Sequence, residues 1–360
     1  MSLHLGEKPR GTQSLILGII GLFIFIGVWW LLAEIFSEQK PVLANYETRL
    51  DTEGINRDSL AHIDSVAYAN AKEHVKIYPI LPPPNRVLMS FDELINKDNL
   101  IGNTAFSLWL NLKGYFWAIL IAIPLGFMLG LFPIIRGLFG RQVDALRYLP
   151  LSALTGLFII WFGINDQMKI AFLAFGILVY LLPVVVTRID EVDDVYKTAV
   201  FTLGATTWQS IRTVYLPAVF SKLLDDIRVL TAISWTYIII AELLNRTRGI
   251  GSLIFLKGKQ GQIDKVFAIL IVIVLIGFLQ DRAFAYLDRR LNPHKYFSIA
   301  PEGLAETRYG IFTILGVLTL KIIQEIFAPA YNNSIWQLTG VILAAAFIII
   351  LYGEYKISKT

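Results

Sequence analysis

The residues able to do chemistry are few and poorly placed for catalysis. Gly258-Lys259 is the nearest approach to a phosphate-cradling loop, yet it lacks the earlier glycine and the following Ser or Thr of G-x-x-x-x-G-K-[ST]. ATP has no cradle in this sequence. No H-E-x-x-H, no G-x-S-x-G and no paired His and carboxylate site occurs. The four histidines (His4, His62, His74, His294) are scattered without metal-ligand spacing. The absence of cysteine removes thiolate nucleophiles, disulfides and Cys-based metal sites together. No catalytic residue, metal site or bound cofactor is expected, and an enzymatic role has little to stand on.

Two features remain. The first is a carboxylate, Glu242, set between Ile238-Ile239-Ile240-Ala241 and Leu243-Leu244. A charge there is costly in lipid, so it must face protein or water. Two readings stay open: a pathway residue paired with a cation, or a boundary carboxylate paired with Arg246 four residues on. The second feature is a polar-faced island over residues 198–217, TAVFTLGATTWQSIRTVYLP, between long apolar runs. It reads as two short helices broken at Gly204. Thr206 caps the second, and Gln209 three residues later completes a T-x-x-Q capping box. Trp208, Ile211, Val214 and Tyr215 recur at helical spacing as one apolar stripe, and Pro217 fits at the end of the turn. Such a knob suits docking into another protein's groove, or lying on lipid headgroups.

The elements that must position these residues are membrane spans. The chain is 55% hydrophobic and only 17% charged, and its apolar residues come in runs of about 20. The fold class is all-α, a polytopic membrane helical bundle. A formal charge of +4, held mostly in loops, gives nucleic-acid binding little support. Spans are expected at residues 14–36, 108–132, 148–162, 168–186, 227–254 and 267–287, with two further apolar runs at 311–326 and 335–352. No cleavable signal is convincing, because the first run is long and lacks a small-residue cleavage site. Lys8 and Arg10, the loop arginines Arg136, Arg141 and Arg147, and Arg188, Lys197, Arg212 and Lys222 all mark cytoplasmic segments. Between spans one and two, residues 59–75 read as a helix, and Pro82-Pro83-Pro84 as stiff polyproline-like backbone. Gly126 and Gly130 permit close helix approach. Asp225, Asp226 and Arg228 read as interfacial anchors. Trp161 and Trp235 line a conduit or serve as packing and belt aromatics.

The island resembles the cytoplasmic loop of permease subunits in binding-protein-dependent ABC importers, with its motif E-A-A, three residues, Gly, nine residues, Ile, one residue, Leu-Pro. Gly204 and Leu216-Pro217 fall at that spacing, Val214 replaces the Ile, and Thr198-Ala199-Val200 replaces E-A-A. Pro83-Pro84 and Val87, Arg147-Tyr148-Leu149-Pro150, Trp161-Phe162-Gly163-Ile164, Lys169-Ile170, Trp235, Ala241-Glu242 and Gly249-Ile250-Gly251 are similar, in order, to the nitrate, sulfonate and taurine (bicarbonate) branch. The resemblance spans roughly residues 81–296.

It implies a six-span permease fold, made of a first span (1–36), an extracytoplasmic insertion (37–103) and a core (104–296) that carries spans two to six and a coupling loop at 187–226. A two-span hairpin (297–360) follows. The insertion is either a solvated cap or a docking surface for the solute-binding protein. The resemblance also implies an ATPase subunit carrying ATP and Mg, a solute-binding protein, a second permease copy as a homodimer, membrane lipid, and a bacterial inner membrane with both termini cytoplasmic. Ala199, Leu203, Gly204, Thr206, Trp208, Ile211, Val214, Leu216 and Pro217 are the expected ATPase-coupling residues. Trp161, Trp235 and Glu242 are the expected path residues. Five cations between spans five and six (Arg246, Arg248, Lys257, Lys259, Lys265) run against positive-inside counting, or line a vestibule for an anionic solute. A stand-alone secondary transporter or channel is the alternative class; it calls for intramembrane charge pairs and inverted repeats.

Overall fold

The computed structural model describes residues 11–41, 74–297, 301–327 and 332–359. The chain divides into two compact units, Met1–Leu100 with Ile254–Val272, and Ile101–Leu253 with Ile273–Thr360.

In the first unit, α1 (Gly11–Ile35) is apolar all round and almost wholly exposed, as a lipid-facing span is. Among the described residues, its last turns carry the ties. Trp29 Nε1 donates to the Pro82 carbonyl at 3.0 Å, the Trp29 ring packs 6.2 Å from Phe267, and Glu34 pairs with Lys76. Two antiparallel strands follow, β1 (Glu38–Pro41) and β2 (His74–Ile77). The expected helix at 59–75 is corrected at its end, because Val75 pairs within β2; residues 59–73 lie outside the described residues. Pro83 has φ −71° and ψ 152°, polyproline-like as expected, and Pro84 opens α2 (Pro84–Asn96) at a position that needs no N–H.

Two cations of the basic segment belong here too. Lys257 donates to Asp98 at 2.7 Å, and Lys265 to Glu93 at 2.8 Å, with both lysines buried. These two are therefore buried and paired with carboxylates within the fold. Lys265 and Lys97 hold the Glu93 carboxyl at about 2, far below its ordinary value.

The second unit is built on α3 (Leu100–Leu131), α6 (Asp166–Asp190) and α9 (Leu216–Leu244). Ala118, Ala122 and Leu129 of α3 meet Ile177, Leu181 and Val185 of α6 and Val219, Leu223 and Ile227 of α9. Gly126 and Gly130 make the α3–α6 approach possible, since a Cβ on either would fall about 2.5 Å from Val185 or Ile189 side-chain carbons. Between α3 and α6 the chain forms α4 (Pro133–Leu146), a 3₁₀ turn (Leu151–Leu154) and the eight-residue α5 (Thr155–Phe162). The expected third span at 148–162 is thus corrected. It is the second arm of a pair bent by 94°, because Pro150 lacks an N–H and holds Leu149 out of helical geometry. Arg136 and Arg141, expected in a loop, ride on α4 instead.

The remaining helices are α7 (Asp194–Thr202), α8 (Thr207–Ser210), α10 (Ile250–Lys259), α11 (Ile263–Leu291), α12 (Leu304–Phe327) and α13 (Asn332–Ile357). Among the described residues, six stretches are long and apolar enough to cross a membrane: Gly11–Ile35, Leu100–Leu131, Asp166–Asp190, Thr207–Leu244, Ile263–Leu291 and Thr339–Ile357.

Asp98→Ala would leave Lys257 and Lys265 buried beside one fewer carboxylate, a loss of about 3 kcal/mol. Thermal melting in detergent should show a drop of several degrees relative to Glu38→Ala, a change outside this cluster; equal melting of the two variants would mean that the pairs are not needed.

Candidate functional site

Residues 194–217 form a knob on two capped helices. Asp193 caps α7 by accepting from Val195 N at 2.9 Å. At the other end Gly204 takes φ +72°, Gly204 N donates to Phe201 O, and Ala205 N donates to Val200 O, which closes the helix as a Schellman motif. Thr206 Oγ1 accepts from Gln209 N, and Gln209 Oε1 accepts from Thr206 N at 2.8 Å, so the expected capping box is present.

Pro217 is placed otherwise than expected. It does not end the second helix but lies in the first turn of α9, so that Thr207–Leu244 runs on as one 38-residue stretch. The join is a π turn, Ile211–Tyr215, in which Leu216 N donates to Ile211 O. A proline in a regular helix clashes with the carbonyl four residues back; the wider turn relieves that clash.

The nine expected coupling residues divide into a tip and a root. Ala199, Leu203, Gly204, Thr206 and Trp208 are exposed, Leu203 by 86% and Trp208 by 67%. Val195, Tyr196 and Phe201 extend the apolar tip. Ile211, Val214 and Leu216 are half-buried, Val214 against the central core, while Pro217 stays exposed. Ion pairs lock the root. Arg188 binds Asp226 through two bonds of 2.8 and 2.7 Å and also holds Glu191, which Lys222 reaches at 2.8 Å. Arg136 grips Asp190 in the same bidentate way. Asp226 thus ties α9 to α6, while Arg228 pairs with Asp281 and Asp225 with Lys295.

Lys222 and then Arg188 hold the Glu191 carboxyl below its ordinary value of 4.5. Its contribution is present above that value and lost as pH falls through the lowered one. Amide exchange in α7, corrected for intrinsic rates, should stay flat from pH 8 to about pH 4.5 and rise below it. Glu191→Gln should reduce the inflection to the part contributed by Asp194, which Lys197 also holds low.

At the far end of α9, Glu242 is wholly buried. Its Oε1 accepts from Ser107 Oγ at 2.6 Å and its Oε2 from Gly251 N at 2.7 Å. Ile250 N donates to Ser107 Oγ at 2.9 Å, Gly249 N to Asn103 Oδ1 at 3.0 Å, and Ser252 Oγ to the Glu242 carbonyl at 3.0 Å. Three successive N–H groups that open α10 thus end on side chains, and the carboxylate sits where the helix dipole favours it. The expected partner Arg246 instead donates through Nε to the Leu243 carbonyl. Gly249 has φ +112°, and a Cβ there would lie 2.1 Å from the Glu242 carboxylate.

Sequence reading missed the α3 side of this clasp. Asn103, Ser107, Asn111 and Tyr115 recur every four residues on α3, and Asn111 Nδ2 donates to Ser234 Oγ of α9 at 3.1 Å. Four polar side chains at helical spacing in an apolar run were the available signal. The three expected path residues do not share one space. Trp161 is exposed and lines an apolar cavity of about 580 Å³ with Trp117, Phe158 and Phe175. Trp235 is buried and donates to Gln280 Oε1 at 2.7 Å, and Glu242 belongs to the clasp.

Gly249→Ala should cost about 2 kcal/mol or more, from strain at positive φ and loss of a buried bond. Gly258→Ala, where a Cβ meets nothing within 4 Å, is the control. Detergent melting curves that coincide for the two would remove the clasp's structural importance.

Residues 122–293 match the family described as binding-protein-dependent transport system inner membrane component. The taurine transport system permease protein TauC of Escherichia coli (strain K12) is 31% identical over 218 residues, covering 59% of this chain and 79% of TauC. The putative aliphatic sulfonates transport permease protein SsuC of Bacillus subtilis (strain 168) is 31% identical over 219 residues, covering 59% of this chain and 77% of SsuC. A solved structure of the MetNI methionine ABC transporter in inward-facing conformations aligns with a TM-score of 0.48 at 18% identity, covering 54% of this chain and 98% of that one. The helices long enough to cross a membrane, the ordered motifs, the family match and the likeness to TauC and SsuC agree: the chain belongs to the inner membrane components of binding-protein-dependent transport systems, the permeases of ABC importers.

Proposed function

We propose that this chain forms the solute path of an ATP-driven importer and that the α7–α8 knob is the docking point of a separate ATPase subunit. The observation that carries the reading is the tip itself. Five apolar side chains stand exposed on two capped helices whose roots are locked by ion pairs. An exposed apolar patch on a rigid mount fits a groove on another protein better than it fits water. Because α8 runs on into α9, a push at Trp208 travels along one rod to the Glu242 clasp.

ATP and Mg are held by the partner, since no phosphate loop occurs here. A second copy completes the path, and a solute-binding protein delivers the cargo. The names of TauC and SsuC support a small sulfonate-type anion as solute. The protein lies among the lipids of the bacterial inner membrane with both termini in the cytoplasm. Of the expected path residues, Trp161 lines the apolar cavity, whereas Trp235 and Glu242 are buried and bonded between helices.

Co-purification from native membranes tests the docking point. The parent chain should bring down an ATPase subunit, whereas Trp208→Ala and Leu203→Asp should lose it while eluting as single peaks. Gly204→Ala, strained by about 1 kcal/mol at positive φ, should weaken capture and uncouple ATP hydrolysis from transport. Normal capture and transport by all three variants, or transport by this chain alone without ATP, would sink the reading.

A further inference from the structure

The family match ends at residue 293, and the hairpin of α12 and α13 lies beyond it. Its helices meet at small residues. A Cβ on Gly303 would fall 2.4 Å from the Gly353 carbonyl oxygen, one on Gly353 2.3 Å from Thr307 Oγ1, and one on Gly310 2.5 Å from Ile350 Cγ1. Such close backbone approach makes a stiff pair in lipid.

This pair is joined to the permease core at two levels. Near one end, Glu325 of α12 forms an ion pair with Lys113 of α3 and accepts from Trp109 Nε1 at 3.2 Å. Near the other, Glu354 of α13 accepts from Tyr286 Oη at 2.7 Å and from Arg290, both on α11, while Lys356 pairs with Glu306 of α12 at 2.6 Å. Each joint combines a carboxylate, a cation and a neutral aromatic donor, which uses more of the carboxylate's acceptor capacity than a simple surface pair does. The side chains of Lys113, Glu325 and Arg290 are four-fifths buried or more. Glu306 and Glu325 are 19 positions apart, about 28 Å along a helix, against a hydrocarbon thickness of about 30 Å. The ion pairs therefore fall at two levels one membrane thickness apart, with the apolar stretch of α12 between them.

We propose that the C-terminal hairpin is a brace, docked on the α3–α11 flank of its own chain by two carboxylate joints centred on Glu325 and Glu354. The flank it grips already holds α9. Asn111 of α3 bonds Ser234, and Gln280 and Asp281 of α11 bond Trp235 and Arg228. The brace makes these three helices a single stiff body.

A protease site placed between residues 297 and 301 of the full-length chain allows the hairpin to be severed after purification in detergent. The cut hairpin should co-elute with the core. Glu325→Gln and Glu354→Gln should each weaken retention by about tenfold, and the double variant should release the hairpin. Lys113→Glu combined with Glu325→Lys should restore retention relative to Lys113→Glu alone, which separates loss of the joint from loss of folding. Release from the cut parent chain, full retention in the double variant, or no rescue by the charge exchange would each overturn the proposal.

Discussion

A carboxylate inside an apolar helix bundle must be given donors, and Glu242 receives them from places that fix much of the structure around it. One donor is Ser107 of α3 and the other is the backbone of Gly251. To bring that backbone within reach, the chain must turn sharply after α9 and pass directly over the carboxylate at Gly249, where no side chain fits. The same turn sets the start of α10. The Ala241-Glu242 and Gly249-Ile250-Gly251 matches, several residues apart in sequence, are therefore the two halves of one device. The acid supplies charge, and the glycines supply the room to neutralise it with peptide dipoles.

The opposite end of the same rod is arranged by the reverse logic. At Glu242 the carboxylate and the N–H groups that open α10 are buried and bonded; on the knob, apolar groups are exposed on a scaffold whose own backbone is satisfied by caps. Between these ends α9 is held sideways by Ser234 to α3, by Asp226 to α6 and by Arg228 to α11. Each tie is a directional hydrogen bond or ion pair rather than apolar contact alone. In lipid, apolar surface has no preference for protein over acyl chains, so directional ties carry the specificity of packing.

Local grammar was legible in the sequence. Gly204, Thr206 and Gln209 predict a break and a capping box because those devices depend on residues within five positions, and the structure contains both. Long apolar runs predicted spans for the same reason. The failures share a different origin. Pro217 fits the end of a turn, yet proline also suits a helix start, and nothing nearby in sequence distinguishes the two when a π turn absorbs the clash. Residues 148–162 are apolar enough for a span but are cut short by Pro150. Val75 lies in a strand whose partner is more than 30 residues earlier. The polar ladder of α3 and the pairing of Lys257 and Lys265 with Asp98 and Glu93 are meetings of segments far apart in sequence, and no local pattern reveals a partner.

The π turn has a consequence for angular phase. Each residue advances a helix by about 100°, so one extra residue in a turn rotates everything beyond it by that amount without lengthening it much. Ile211–Tyr215 thus sets the azimuth of Trp208 relative to the face of α9 that bears Ser234 and Glu242. Directionality resides in a count of residues. A chain with every side chain named here but one residue fewer in that turn would keep its tip, its caps and its clasp. It would aim the tip about 100° away from the direction it now faces.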